Sequence, residues 1–132
     1  MSNDTADYTL SRAEDASWEP GRRDCFEQRN LRLEEPTSGA FTARVIRARN
    51  GGISRPLGKH KHNVLFHWCY VLSGWIELEL KDVGPVRLEK GDSHYMPHGI
   101  PHEIIGCSND LEMIEMHGPG RIDEEAVPDW TV

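Results

Sequence analysis

The sequence predicts an all-β fold, an antiparallel sandwich or barrel, and three observations carry that prediction. Short runs rich in Val, Ile, Leu and aromatic residues, punctuated by Gly and Pro, dominate the chain, while helical periodicity is weak throughout. No stretch reads as a crossover helix between these runs, so neighbouring strands are expected to run antiparallel. In Trp75–Leu80, Ile76, Leu78 and Leu80 alternate with Glu77 and Glu79, which puts apolar side chains on one face of a strand and carboxylates on the other.

Taken in order, residues 1–24 are polar, contain Pro20 and Gly21, and read as an irregular N-terminal arm. Strands are expected near 26–33, 41–49, 58–62, 66–72, 75–80, 85–89, 93–96, 102–106 and 111–117, within a single domain spanning 25–118. The first of these has the character of an edge strand. The second carries Arg44, Arg47 and Arg49; two or three of them are expected to share a sheet face, which reads as a solvated face, or else as an anion site at a barrel mouth or a dimer contact. Val71-Leu72, Ser73-Gly74 and Trp75-Ile76 together read as a tight hairpin. The tail, 119–132, is acidic through Asp123, Glu124, Glu125 and Asp129; it is expected to be a loose segment, with Trp130 available to dock on a surface.

Charge and cysteine usage bound the function. With 132 residues and a net charge of −7, the chain is long enough for one core and repels the phosphates of nucleic acid. No apolar run approaches the length of a membrane helix, and Met1–Leu10, with Asp4 and Asp7, lacks the pattern of a signal peptide. Cys25, Cys69 and Cys107 are odd in number and widely spaced, which suits free thiols in a reducing compartment; a cytoplasmic location is expected, with Cys69 in the core.

The histidines carry the chemistry. There are seven, and six of them fall in two short segments, Gly58-Lys59-His60-Lys61-His62-Asn63-Val64-Leu65-Phe66-His67 and Gly91-Asp92-Ser93-His94-Tyr95-Met96-Pro97-His98-Gly99-Ile100-Pro101-His102. On a strand, His60 and His62 share a face and offer two imidazoles to one ion, while Lys61 turns to water. An H-x-H pair alone is weak evidence, since most such pairs are surface or satisfied histidines. Pro97 ends a strand, Gly99 permits a positive-φ turn, and Pro101 stiffens the return to His102, which opens the next strand with a third ligand. Three imidazoles with positions left open describe a reactive metal site rather than a closed structural one. His98, in the turn, and His117, at the end of the last apolar run, read as surface. His94 faces either cavity or water, and Trp68, Tyr70, Trp75 and Tyr95 read mainly as packing.

The two segments resemble the paired motifs of the cupin family. The first family motif runs H-x-H, three or four residues, Glu, six residues, Gly; here His60 and His62 are followed at that spacing by His67 and Gly74. The second runs G-x5-P-x-G-x2-H, met by Gly91, Pro97, Gly99 and His102. The resemblance covers about residues 58–106. It departs at Ser54, where the family usually has Gly (Gly51 and Gly52 are near), at Gly106, where Asn is common, and at His67, which stands in place of the usual Glu. Histidine there leaves a divalent site at +2 instead of +1 and favours an anionic ligand.

What the resemblance implies is an antiparallel jelly-roll (cupin-type) β-barrel with one divalent transition metal inside, Fe, Ni, Zn, Mn or Cu. Its expected ligands are His60, His62, His67 and His102, with His67 alternatively lining the pocket. The expected function is a metal-dependent enzyme leaning to iron-type dioxygenase chemistry on a small organic substrate, with isomerase or lyase chemistry as neighbours. His94 and Tyr95 are the candidates for acid–base work. A non-catalytic ligand-binding or structural metal-binding barrel is the alternative, and a homodimer is expected, without nucleic-acid or membrane partners.

Overall fold

The computed structural model describes residues 8–49, 51, 53 and 55–130. The start of the arm at 1–7, Gly52 and Ser54 lie outside the described residues. Among the described residues eleven strands form: β1 (Glu19–Pro20), β2 (Phe26–Asn30), β3 (Thr42–Ala48), β4 (His60–His62), β5 (Phe66–Ser73), β6 (Trp75–Leu80), β7 (Gly84–Glu89), β8 (Ser93–Tyr95), β9 (His102–Cys107), β10 (Glu112–Gly118) and β11 (Glu124–Ala126). They make two antiparallel sheets, β1-β2-β3-β10-β5-β8 and β11-β4-β9-β6-β7. From β3 to β6 and again from β7 to β11 the chain alternates between the two sheets, which is the jelly-roll barrel. Among the described residues the only helical turn is Ala13–Asp15, and no helix is long and apolar enough to cross a membrane.

The core lies between the sheets. Ile46, Val71 and Met113 from the larger sheet meet Ile76, Leu78, Leu80 and Leu88 from the smaller, with Phe26, Met96 and Leu111 filling the ends. Ile76, Leu78 and Leu80 point inward and Glu77 and Glu79 outward, so the alternation read in this segment is the alternation observed. Cys69 and Cys107 are buried, and all three cysteines are free thiols.

Four expectations are corrected. Ser73-Gly74 does not close a hairpin: β5 pairs with β10 and β8, β6 with β7 and β9, so this turn carries the chain from one sheet to the other. The reason is packing at the corner. Gly74 sits at φ +70°, and a Cβ there would lie 2.3 Å from Ser108 Oγ, whose oxygen accepts the Trp75 backbone N–H at 2.9 Å. The strand from Phe26 stops at Asn30, whose side chain accepts the Arg32 N–H at 2.7 Å, and it is not an edge, because Glu19 and Pro20 pair with it at Gln28 and Glu27. Arg44 and Arg47, an odd number of residues apart, face opposite ways: Arg44 reaches inward to His117 at 3.0 Å, while Arg47 pairs with Glu27 and stacks on Trp18. The tail is not loose. Glu124–Ala126 extends the edge of β4, and Trp130, only 3% exposed, is fixed by its backbone oxygen accepting from Lys59 Nζ at 2.6 Å.

Candidate metal centre

Two strands place the central histidines. In β4, Lys61 faces outward and His60 and His62 are buried inside the barrel. His102 opens β9 directly opposite His60 in the antiparallel register, and their ring centroids lie 4.3 Å apart. His62 completes the group, 4.9 Å from His60 and 5.2 Å from His102 by ring centroid. One nitrogen from each of the three lies within 4.8 Å of the others.

The hydrogen bonds orient these rings. Nδ1 of His60 faces the Gly58 carbonyl at 2.9 Å, Nδ1 of His62 the Asp123 carbonyl at 3.2 Å, and Nδ1 of His102 the Ile100 carbonyl at 3.0 Å. A carbonyl only accepts, so Nδ1 of His62 and of His102 carries the proton; at His60 Nδ1 the Gly58 carbonyl at 2.9 Å is nearer than the donor Arg23 Nη2 at 3.4 Å and favours the same tautomer, which keeps the Nε2 lone pair. Burial, followed by the neighbouring imidazoles, pushes His62 down to about 3 and His102 down to about 4. Burial also lowers His60. The rings are therefore neutral near pH 7, the state a metal requires. This donor set, three oriented lone pairs in a buried site, fits a borderline divalent cation.

His67 stands beside this group, its ring 5.4 Å from that of His62. Its Nε2 donates to Glu115 Oε2 at 2.8 Å, and it clusters with Cys69 and Glu115 rather than with the three central rings. The nitrogen it has left is Nδ1, the opposite of the other three. Glu115 stands beside the histidines and was missed by sequence reading. It lies in one cross-strand row of the larger sheet, Arg44–Glu115–Cys69–His94. Arg22 Nη2 approaches it at 3.1 Å and Arg44 Nη1 at 3.8 Å. Burial alone would raise this carboxyl; Arg22, the His67 hydrogen bond and Arg44 outweigh that and hold it well below the usual carboxylate range. Arg22 was hidden in a segment with no period, and in Glu112–Gly118 apolar and polar residues do not alternate, so neither residue had a sequence signal.

A cavity of about 60 Å³ opens onto the cluster, lined on its polar side by Arg22, Gln28, His94 and Glu124. Its walls are apolar, with Phe26, Ile46, Leu78, Met96 and Met113 among them. His94 faces the cavity, and burial lowers its pKa. Tyr95, the other acid–base candidate, does not reach it: one residue from His94 on a strand, it points outward, is 53% exposed, and its hydroxyl donates to the Leu65 carbonyl at 3.3 Å. Trp68, Tyr70 and Trp75 are likewise absent from the cavity wall. His98 is exposed, as expected. His117 is fully buried instead of at the surface; its Nδ1 donates to the Pro119 carbonyl at 2.9 Å and its Nε2 accepts from Arg44.

No curated protein sequence matches this one. Among solved structures, the polyketide cyclase RemF from Streptomyces resistomycificus superposes with a TM-score of 0.72 at 20% identity, over 91% of this chain and 85% of that one. KdgF from Halomonas sp. gives 0.64 at 19% identity, over 86% and 96%. Oxalate decarboxylase from Bacillus subtilis gives 0.64 at 21% identity over 93% of this chain, which spans 34% of that larger protein. At these identities the likeness is one of fold. In sequence, residues 46–116 match the family model described as a cupin domain. That match runs over more than half of the 132 residues, and the chain belongs to the cupin family.

Proposed function

We propose that the barrel holds one divalent transition metal on His60, His62 and His102 and works as a metal-dependent enzyme on a small anionic organic substrate. One observation carries this reading: three buried imidazoles, each with Nδ1 tied to a backbone carbonyl, keep their Nε2 lone pairs for a common ligand. An ion held by His60, His62 and His102 would keep open positions and would supply Lewis-acid chemistry toward a carbonyl or enolate oxygen or, as iron, dioxygen chemistry. An imidazole donor set suits Zn, Cu, Fe or Ni; Mn(II) is the ion named for the oxalate decarboxylase.

The chain's own residues supply the rest. The apolar walls exclude water from the reacting groups. Arg22, with one nitrogen on Glu115, presents the rest of its guanidinium as an anchor for an anionic group. His94, neutral and facing the cavity, is the acid–base residue in this reading. Two of the neighbours are named as a cyclase and a decarboxylase, which supports an enzyme over an inert barrel. Iron-dependent oxygen chemistry is the reaction class to try first, and the free cysteines fit a cytoplasmic setting.

The test is metal analysis of the purified protein, followed by oxygen uptake with diketones, thiols and phenolic acids. About one ion per chain, lost on His60→Ala or His102→Ala, with turnover of at least one substrate, is the expected outcome. Tight zinc without turnover would leave a structural or ligand-binding barrel. The same analysis on His67→Ala decides whether Nδ1 of His67 is also a ligand: unchanged metal content and geometry removes it. We also propose a homodimer, supported by the exposed Phe41, Leu65 and Tyr95 beside Phe66 on the outer face of the larger sheet. Sedimentation as a monomer at micromolar concentration would count against it.

A further inference from the structure

We propose that Glu124, from the C-terminal strand β11, is the carboxylate of the metal centre. This rests on the three-histidine reading above. The family position that commonly carries a glutamate is His67 here, so the imidazoles alone leave a divalent ion with its full charge in a buried site. Two carboxylates line the cavity, Glu115 and Glu124. Glu115 is committed: Arg22 reaches both of its oxygens, at 3.4 and 3.1 Å, and His67 donates to Oε2. Glu124 is half committed. Its Oε2 is held by Arg23 Nη2 at 2.8 Å, while its Oε1 lies 3.8 Å from Nε2 of His60; it stands outside the three-histidine cluster, beside His60, so binding a shared ion takes a turn of its side chain toward the other rings.

The backbone explains why this residue and not its neighbour. β11 pairs antiparallel with the strand that carries the histidines, and Glu124 is the cross-strand partner of His62. Directly opposed residues share a face, so Glu124 lies on the side of His60 and His62, at the partly exposed edge of the sheet, its side chain 29% exposed. Glu125 opposes Lys61, turns outward with it, and pairs with it at 3.8 Å. The two adjacent glutamates therefore have the same charge and opposite access to the cluster, which makes Glu125 the internal control.

The experiment titrates the metal-free full chain with Co(II), reading affinity by competition with a chromophoric chelator and coordination by the visible spectrum. Glu124→Gln is expected to weaken binding tenfold or more and to alter the Co(II) bands. Glu125→Gln is expected to leave both unchanged, and Glu124→Asp, which keeps the charge on a shorter arm, to fall between. Circular dichroism of each metal-free variant checks that the barrel is formed. Wild-type affinity and spectrum in a folded Glu124→Gln protein would overturn the proposal while leaving the three-histidine site intact. A wild-type chain that takes up no Co(II), or takes it up equally after His60→Ala, would overturn both.

Discussion

Glu115 shows what a single buried charge can organise. Its carboxylate sits between Arg22 and Arg44 and accepts from His67, so one side chain ties the arm, β3 and β5 to the floor of the cavity. Removing one partner of such a pair leaves the buried Arg44 and His67 without their counter-charge, at a cost of about 3 kcal/mol. Glu115→Gln is therefore expected to lower unfolding free energy by about 3 kcal/mol, measured by urea denaturation at pH 7; a loss below about 1 kcal/mol would show the network to be solvated. The imidazoles make a separate, pH-dependent contribution. His62 and His102 titrate at about 3 and about 4 in the folded chain, against about 6.5 when unfolded. Below pH 6.5 the unfolded state thus binds more protons. Stability is fully present above that value and is lost as pH falls toward 4 and then 3. Protonation of Glu115 adds to the loss below its unfolded value near 4.5. Metal-free protein is expected to show a falling urea midpoint from pH 6.5 to 4; a flat profile would contradict the burial of these rings.

Elements whose two faces differ cleanly were readable in advance. β6 alternates apolar and acidic residues, and β4 alternates histidine and lysine, so their inward faces follow from a period of two. β10 does not: Met113, Glu115 and His117 point inward while Glu112, Ile114 and Met116 take the other face, and neither set is wholly apolar. The corner at Gly74 was misread because a tight turn and a change of sheet use the same residues. It yields a paired expectation. Gly74→Ala combines φ +70° with a Cβ 2.3 Å from Ser108 Oγ, whereas Gly99→Ala, at φ +71°, meets nothing within 4 Å. By thermal denaturation, Gly99→Ala is expected to cost about 1 kcal/mol and Gly74→Ala at least about 2 kcal/mol. The tail contributes through one anchor. Trp130→Ala is expected to destabilise the chain by about 3 kcal/mol and to speed amide exchange in β4, which β11 protects. Unchanged exchange there would mean that Trp130 does not hold the strand.

At the level of the whole molecule, β4 and β9 are joined by only one residue pairing, His60 with His102, and that pairing lies within the candidate metal centre. A metal bound there would link the two strands, and any ligand that binds only the folded barrel stabilises it by mass action. Free Zn(II) or Co(II) at about a hundred times its dissociation constant is expected to add about 2.7 kcal/mol, seen as a raised melting temperature that chelation reverses. No shift in His60→Ala is the companion result.

Local chemistry in the sequence determined the β class, most strand positions, and the pairing of an H-x-H strand with a distant Pro-x-Gly-x2-His turn, because periodicity and turn residues act over a few positions. Only the tertiary structure decided what surrounds those histidines. Arg22, Glu115, His117 and Glu124 come from an arm, a strand of mixed pattern and a tail, and nothing local marks them. Which charges meet in a barrel depends on sheet order and register, and these are set by the packing of the whole chain.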